Sequence, residues 1–168
     1  MTADLRTQLR ARLTGRVCLL GLGNEGLGDD AFGVRLAEAL QAAGQAHAHA
    51  AGANPERWLA RSGLEGVDQL VFLDAVEFGG APGAVVFLDA GQMAARFPQV
   101  STHKLSLGLL AKWAEANGRT RAWLLGVQPA SLRPGAGLSP AVQLSLALLK
   151  ELLGESLGAP QPSTLPAC

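Results

Sequence analysis

The sequence predicts an α/β protein: a three-layer α/β/α sandwich built on a mostly parallel five-stranded sheet with one antiparallel edge strand. Two observations carry this prediction. Short apolar runs, typical of buried strands, alternate along the chain with segments whose apolar residues recur at helical spacing. The first apolar run also leads through a glycine-rich loop into an amphipathic helix, the junction at which open parallel sheets bind ligands.

The predicted elements follow one another with short connections. In order, they are a helix within 1–15, strand 16–22, helix 30–43, strand 46–51, helix 55–63, strand 68–74, strand 84–88, a helix capped by Ser101 and Thr102, strand 121–127 and a helix opened by Ser139 and Pro140. The linker before strand 84–88 is too short for a helical crossover, which predicts an antiparallel strand at an edge of the sheet. Residues 89–100 are predicted to be irregular or loosely helical. In the helix after Thr102, the spacing of Leu105, Leu109 and Trp113 predicts the buried face.

Composition narrows the class of protein. The 168 residues fit one domain, predicted here as 1–158, followed by a disordered Pro-rich tail at 159–168. A net charge of +0 argues against a nucleic-acid partner bound by a broad basic face. No apolar stretch has the length of a membrane span and no signal-peptide pattern is present, so we expect a cytoplasmic protein with no membrane partner. Because the assigned helices leave no large apolar stripe, we also expect a monomer.

The glycine-rich loop, residues 21–30, matches the dinucleotide pattern G-x-G-x-x-G but fails both tests of context. Asp29 and Asp30 stand where a pyrophosphate would bind the helix N-terminus, and they would repel it. The second strand also ends without an acidic residue for the ribose. The sequence therefore predicts no cofactor-binding residues of this kind.

Three side chains are candidates for chemistry. Asp30 opens the first long helix, Asp74 closes a central strand, and His103 is predicted in the first turn of a later helix. Strand carboxyl ends and helix N-termini share one edge of an α/β sheet, so the three can converge. Two carboxylates and an imidazole suit a divalent metal, although a helix cap or a surface histidine would explain each residue singly. His47 and His49 alternate on one strand, where an exposed polar face is the favoured interpretation.

The loop also carries a family resemblance. Gly21, Gly23, Asn24, Asp29, Asp30 and Gly33 resemble the N-terminal signature of the hydrogenase maturation endopeptidases, which process the large subunit of nickel–iron hydrogenases. Further similar motifs follow in the family's order across residues 16–153: Gly52 to Glu56, Leu73 to Ala75, Ser101 to Leu107, Leu125 to Pro129, and Gly137 to Val142. The series is more specific than any single motif.

The resemblance implies a site and a reaction. It implies that Asp30, Asp74 and His103 are the nickel-binding and catalytic residues of an aspartic-type endopeptidase. The implied reaction removes a C-terminal extension from the large-subunit precursor after nickel insertion. Nickel would then be the recognition element, supplied by the precursor, and no permanently bound cofactor is expected. Either the metal or a carboxylate could activate the water.

Two other classes of function remain open at this point. The loop also resembles the opening of peptidyl-tRNA hydrolase, but Asp29 and Asp30 replace that family's following residues and the basic balance for tRNA is missing. The second alternative is a non-catalytic, metal-binding hydrogenase assembly factor with the same fold.

Overall fold

The computed structural model describes residues 3–97 and 106–158. The helices and strands are α1 (Leu5–Arg12), β1 (Val17–Leu22), α2 (Phe32–Ala42), β2 (Ala48–Gly52), α3 (Pro55–Ser62), β3 (Gln69–Ala75), β4 (Val85–Asp89), α4 (Ala90–Arg96), α5 (Leu107–Glu115), β5 (Arg121–Val127) and α6 (Pro140–Leu157). A 3-10 turn, Gly28–Ala31, leads directly into α2.

The sheet has the order β2-β1-β3-β5-β4. The pairs β1 with β2, β1 with β3, and β3 with β5 are parallel, whereas β4 runs antiparallel to β5 at the edge. This confirms the predicted five-stranded mixed sheet. The short linker would suggest that β4 pairs directly with its predecessor β3. In the structure β5 lies between these two strands.

Helices cover both faces of the sheet. On one face, α1, α2 and α6 enclose a core that includes Leu36 and Leu149. On the other face, α3, α4 and α5 enclose a second core that includes Phe72 and Leu110. Buried strand residues alternate between the two cores, as expected for a sheet covered on both sides. The layers are therefore those of the predicted sandwich.

Glycine allows α2 to lie unusually close to the sheet. A Cβ on Gly33 would lie 1.9 Å from the carbonyl oxygen of Leu73 and 2.5 Å from that of Leu22. A Cβ on Gly23 would lie 1.8 Å from the carbonyl oxygen of Asp30, and Gly23 also adopts a φ of 123°. These contacts hold the 3-10 turn and the start of α2 against the carboxyl ends of β1 and β3.

Three local predictions need correction. Residues 90–96 form a regular helix, because Asp89 and Gln92 make a reciprocal capping box. The next helix, α5, begins after Ser106, whose hydroxyl oxygen accepts a hydrogen bond from Leu109 N–H, so its first turn does not include His103. Of the predicted buried face, Leu109 and Trp113 are exposed, and Leu105 lies outside the described residues. The buried face of α5 instead consists of Leu107, Gly108, Leu110, Ala111 and Ala114.

Large apolar side chains remain on the surface of two helices. Leu109 and Trp113 are exposed on α5, and Leu144 and Leu148 are exposed on α6. The premise of the monomer prediction is therefore wrong, and the monomeric state itself stays a prediction. Among the residues that the structure describes, no helix is long and apolar enough to span a membrane. The predicted tail, 159–168, lies outside the described residues.

Candidate functional site

Asp74 is a buried carboxyl group near the carboxyl end of the central strand β3. Its side chain is 6% exposed, and its Oδ1 atom has no hydrogen-bond partner. Burial and, secondarily, the charge of Asp30 raise the Asp74 pKa well above its ordinary value. A buried carboxyl oxygen without a donor is costly to folding, which is typical of a group kept for binding or chemistry.

Asp30 belongs to the 3-10 turn that follows β1. Its Oδ2 atom accepts a hydrogen bond of 2.8 Å from the backbone N–H of Asn24, and the residue is 8% exposed. This hydrogen bond ties the carboxylate to the glycine-rich loop. The close contact between Gly33 and Leu73 then brings the turn to the end of β3. The fold thus brings Asp30 and Asp74 together, as the sequence predicted.

The third predicted residue, His103, lies outside the described residues. What the structure does describe is the helix that follows it. The Glu115 side chain, at the C-terminus of α5, accepts a hydrogen bond from Ala122 N–H at the start of β5. At the other end of α5, Leu107 is buried in the same apolar core as Val76, which directly follows β3. Within the described ranges no group of three or more metal-ligating side chains occurs.

Asp29 has a different environment from its neighbour Asp30. It is fully buried, and its carboxylate accepts hydrogen bonds from Ala130 N–H (2.8 Å), Ser131 N–H (3.1 Å), Ser139 N–H (2.7 Å) and Ser139 Oγ (2.9 Å). Burial raises the Asp29 pKa, but these hydrogen bonds outweigh it and lower the pKa below its ordinary value. Asp29 is therefore an ionised structural group that fastens the loop between β5 and α6.

Gln128 is a site-supporting residue that the sequence did not single out for a role. Its buried Oε1 atom accepts hydrogen bonds from the N–H groups of Phe78, Gly79 and Gly80, at 2.9, 3.1 and 3.2 Å. Its Nε2 atom donates to the Glu77 carboxylate at 2.6 Å. Gln128 thus fixes the loop that leaves β3 after Asp74. In the sequence, the only sign of this role is that Gln128 is an amide residue between an apolar strand and a proline.

Of the two histidines predicted on the second strand, His49 lies on β2 and His47 directly precedes it. The His49 ring packs on the Trp58 ring of α3, with centroids 5.3 Å apart. His49 is only partly buried, but its Nε2 atom is buried and has no hydrogen-bond partner. The predicted exposed polar face is therefore wrong for His49, which lies in the interface with α3.

Comparison with known proteins decides the family. A family model described as HycI, hydrogenase maturation protease, matches residues 34–155. The chain belongs to the hydrogenase maturation protease family. This confirms the resemblance and assigns the chain a protease role in hydrogenase maturation.

Individual hydrogenase maturation proteases are similar over most of their length. The hydrogenase 2 maturation protease of Escherichia coli K12 is 30% identical over 168 aligned positions, covering 90% of this chain and 94% of the relative. The crystal structure of the nickel–iron hydrogenase maturation protease HycI from Thermococcus kodakarensis KOD1 gives a TM-score of 0.78 at 30% identity, covering 89% of this chain and 98% of that chain. The E. coli endopeptidase HybD gives a TM-score of 0.70 at 29% identity, covering 84% and 91%.

These similarities weigh on the alternatives. Membership of the hydrogenase maturation protease family favours a protease over a peptidyl-tRNA hydrolase-like esterase. A non-catalytic assembly factor would share the fold, so only a cleavage measurement separates it from a protease. The roles of Asp30, Asp74 and His103 stay predictions.

Proposed function

We propose that this protein removes the C-terminal extension of a nickel–iron hydrogenase large-subunit precursor after nickel insertion. Asp30, Asp74 and His103 are its nickel-recognising and catalytic residues. The single observation that best supports the proposal is the buried Asp74 carboxyl group, whose Oδ1 has no donor and whose pKa is raised beside Asp30. The alternative is a metal-binding assembly factor that docks on the precursor without cutting it.

The donor set fits a nickel ion that arrives as part of the substrate. Carboxylate oxygens and one imidazole bind a divalent ion more weakly than a thiolate set does. Such a site can sense nickel already held by the precursor and then release it. The Asp74 Oδ1 atom has no hydrogen-bond partner, so it can coordinate a metal ion without breaking a hydrogen bond. Nickel bound to the precursor would also relieve the repulsion between Asp30 and Asp74.

The proposed hydrolysis needs a group that takes a proton from water and gives one to the leaving amine. In the reaction, a water oxygen bonds to the scissile carbonyl carbon, the C–N bond breaks, and the new amine gains a proton. A carboxyl group with a raised pKa holds a proton closer to neutral pH than an ordinary aspartate does. We therefore assign the proton transfer to the Asp30–Asp74 carboxyl pair, with one carboxyl group exchanging the proton while the other stays bound to nickel, which makes the enzyme an aspartic-type endopeptidase in a cytoplasmic maturation step.

The test is a cleavage assay on a cognate large-subunit precursor, prepared with and without nickel, with the precursor mass as the readout. We expect loss of the C-terminal peptide from the nickel-loaded precursor only. Asp74→Asn and His103→Ala should abolish the cut. The matched controls are Asp68→Asn, just before the N-terminal end of β3, and His47→Ala, just before β2; both variants should retain the cut.

Precursor binding is measured in parallel. Binding of the nickel-loaded precursor without cleavage by the wild-type protein would contradict the protease proposal and support the assembly factor. Cleavage that is equally fast with nickel-free precursor would contradict nickel recognition, while leaving the protease activity in place.

A further inference from the structure

The loop between β5 and α6, residues 128–139, is the longest connection within the described ranges of the chain, and part of it lies against the candidate site. A Cβ on Gly28 would lie 2.6 Å from the Ser131 carbonyl oxygen and 3.2 Å from the Arg133 backbone nitrogen. Gly28 belongs to the same 3-10 turn as Asp30. The loop backbone is therefore packed directly on the turn that carries a proposed site residue.

This loop is exposed and nevertheless well fixed. All residues of the segment 131–137 are exposed. The Asp29 carboxylate accepts hydrogen bonds from Ala130, Ser131 and Ser139, which fastens both ends of the segment. Asp29 N–H also donates to the Ser131 carbonyl, and Gly135 N–H donates to the Gly26 carbonyl at 3.0 Å. Holding an exposed segment in one conformation costs conformational entropy, and preorganisation of this kind favours binding of a partner.

Two side chains give the segment a chemical preference. Leu132 is 45% exposed and lies between Ser131 and Arg133, whose backbone atoms pack on Gly28 of the turn that carries Asp30. Arg133 is exposed and forms no ion pair within the part of the chain that the structure describes. An arginine guanidinium forms two parallel hydrogen bonds with a carboxylate. Leu132 and Arg133 together therefore suit a protein segment that presents an apolar side chain next to an acidic group.

We propose that residues 131–137 form a precursor-recognition loop and that Asp29 is the positioning residue that holds this loop beside Asp30. The inference rests on the proposed function for the identity of the partner. Asp29 itself contacts neither nickel nor the scissile bond. It acts through the loop, whose Leu132 and Arg133 side chains contact the precursor next to the site.

The test compares exposed residues inside and outside the recognition loop. Leu132→Ala and Arg133→Ala should each raise the KM for nickel-loaded precursor, and the dissociation constant measured by equilibrium binding, by about fivefold or more, with kcat little changed. Leu144→Ala on α6 and Arg57→Ala on α3 are the matched controls, which should leave both constants unchanged. All four positions are exposed, so folding should be unaffected.

A double-mutant cycle tests the role of Asp29. If Asp29 positions the recognition loop, Asp29→Asn should raise KM, and adding Leu132→Ala to that variant should have much less effect than in the wild type. Equal multiplicative effects in the two backgrounds would overturn the positioning role. A purely structural loss of folded protein would lower kcat for both backgrounds alike and would leave the Leu132→Ala effect on KM intact.

The outcomes separate this inference from the proposed function. If the wild type cleaves the precursor while Leu132→Ala and Arg133→Ala bind and cleave as the wild type does, the recognition loop is wrong and the protease proposal stands. If the wild type binds without cleaving, the protease proposal fails and the binding constants still decide the role of the loop. If the wild type neither binds nor cleaves the cognate precursor, both are overturned.

Discussion

Asp29 and Ser139 are joined by two hydrogen bonds: Ser139 N–H donates to Asp29 Oδ1 at 2.7 Å, and Ser139 Oγ donates to Asp29 Oδ2 at 2.9 Å. Ser139 is the N-cap of α6, yet its side chain forms no cap hydrogen bond because it is engaged with Asp29. The two adjacent carboxylates therefore have different environments. Asp29 accepts hydrogen bonds from the loop before α6, whereas Asp30 lies beside Asp74 at the candidate site.

We predict that Asp74→Asn stabilises the protein while it abolishes cleavage. The pKa of Asp74 is raised in the folded state, so the protein is most stable when this carboxyl group is protonated. Its contribution to the free energy of unfolding is therefore fully present below the ordinary pKa of 3.8 and is lost as the pH rises through the folded-state pKa. The variant should gain about 1 kcal/mol in the free energy of unfolding at pH 7, and the gain should shrink as the pH is lowered. Urea unfolding at several pH values measures it. A less stable variant at pH 7 would contradict this account.

Asp29→Asn should destabilise the protein, in contrast to Asp74→Asn. The Asp29 pKa is lowered in the folded state, so its contribution is present above the ordinary value of 3.8 and is lost as the pH falls through the folded-state pKa. Replacement leaves several donors poorly satisfied and should cost about 2 kcal/mol at pH 7, with the difference narrowing in acid. The same urea series detects it. Ser139→Ala, which removes one donor only, should cost less.

Gly33→Ala should be strongly destabilising. The new Cβ would collide with the carbonyl oxygens of Leu73 and Leu22, which belong to strands and cannot move aside. We expect a loss of about 3 kcal/mol, measured as a shift in the urea midpoint. Gly154→Ala on α6 is the control, since a Cβ there meets no atom within 4 Å. That variant should gain about 0.5–1 kcal/mol, and a neutral Gly33→Ala would show that α2 can be displaced from the sheet without cost.

Gln128→Ala should loosen the loop after β3. The backbone N–H groups of Phe78, Gly79 and Gly80 would lose the acceptor that they share. We expect a loss of about 2 kcal/mol and faster hydrogen exchange at these amides, measured by NMR or mass spectrometry. Gln143→Ala is the control: its exposed side chain donates to the Leu138 carbonyl, and its loss should change stability by less than about 0.5 kcal/mol. Unchanged exchange at Gly79 and Gly80 would be evidence against this role of Gln128.

The sequence by itself predicted the order and type of all the strands and of every helix except α4, because apolar periodicity reflects which face of each strand or helix must be buried. It also made Asp30 and Asp74 candidates, since each stands where an element meets the carboxyl edge of the sheet, and their roles stay predictions.

Only the tertiary structure decided which of two adjacent aspartates faces the site and which fastens a loop distant in sequence, at Ala130 to Ser139. The same limit explains the errors on α5. The spacing of Leu109 and Trp113 fitted a buried face as well as that of Leu107 and Leu110 does, and the choice depended on how α4 packs, with Gly108 against Ala94. Partners far apart in sequence leave no local pattern, so hydrogen bonds such as those of Asp29 and Gln128 become visible only when the chain is folded.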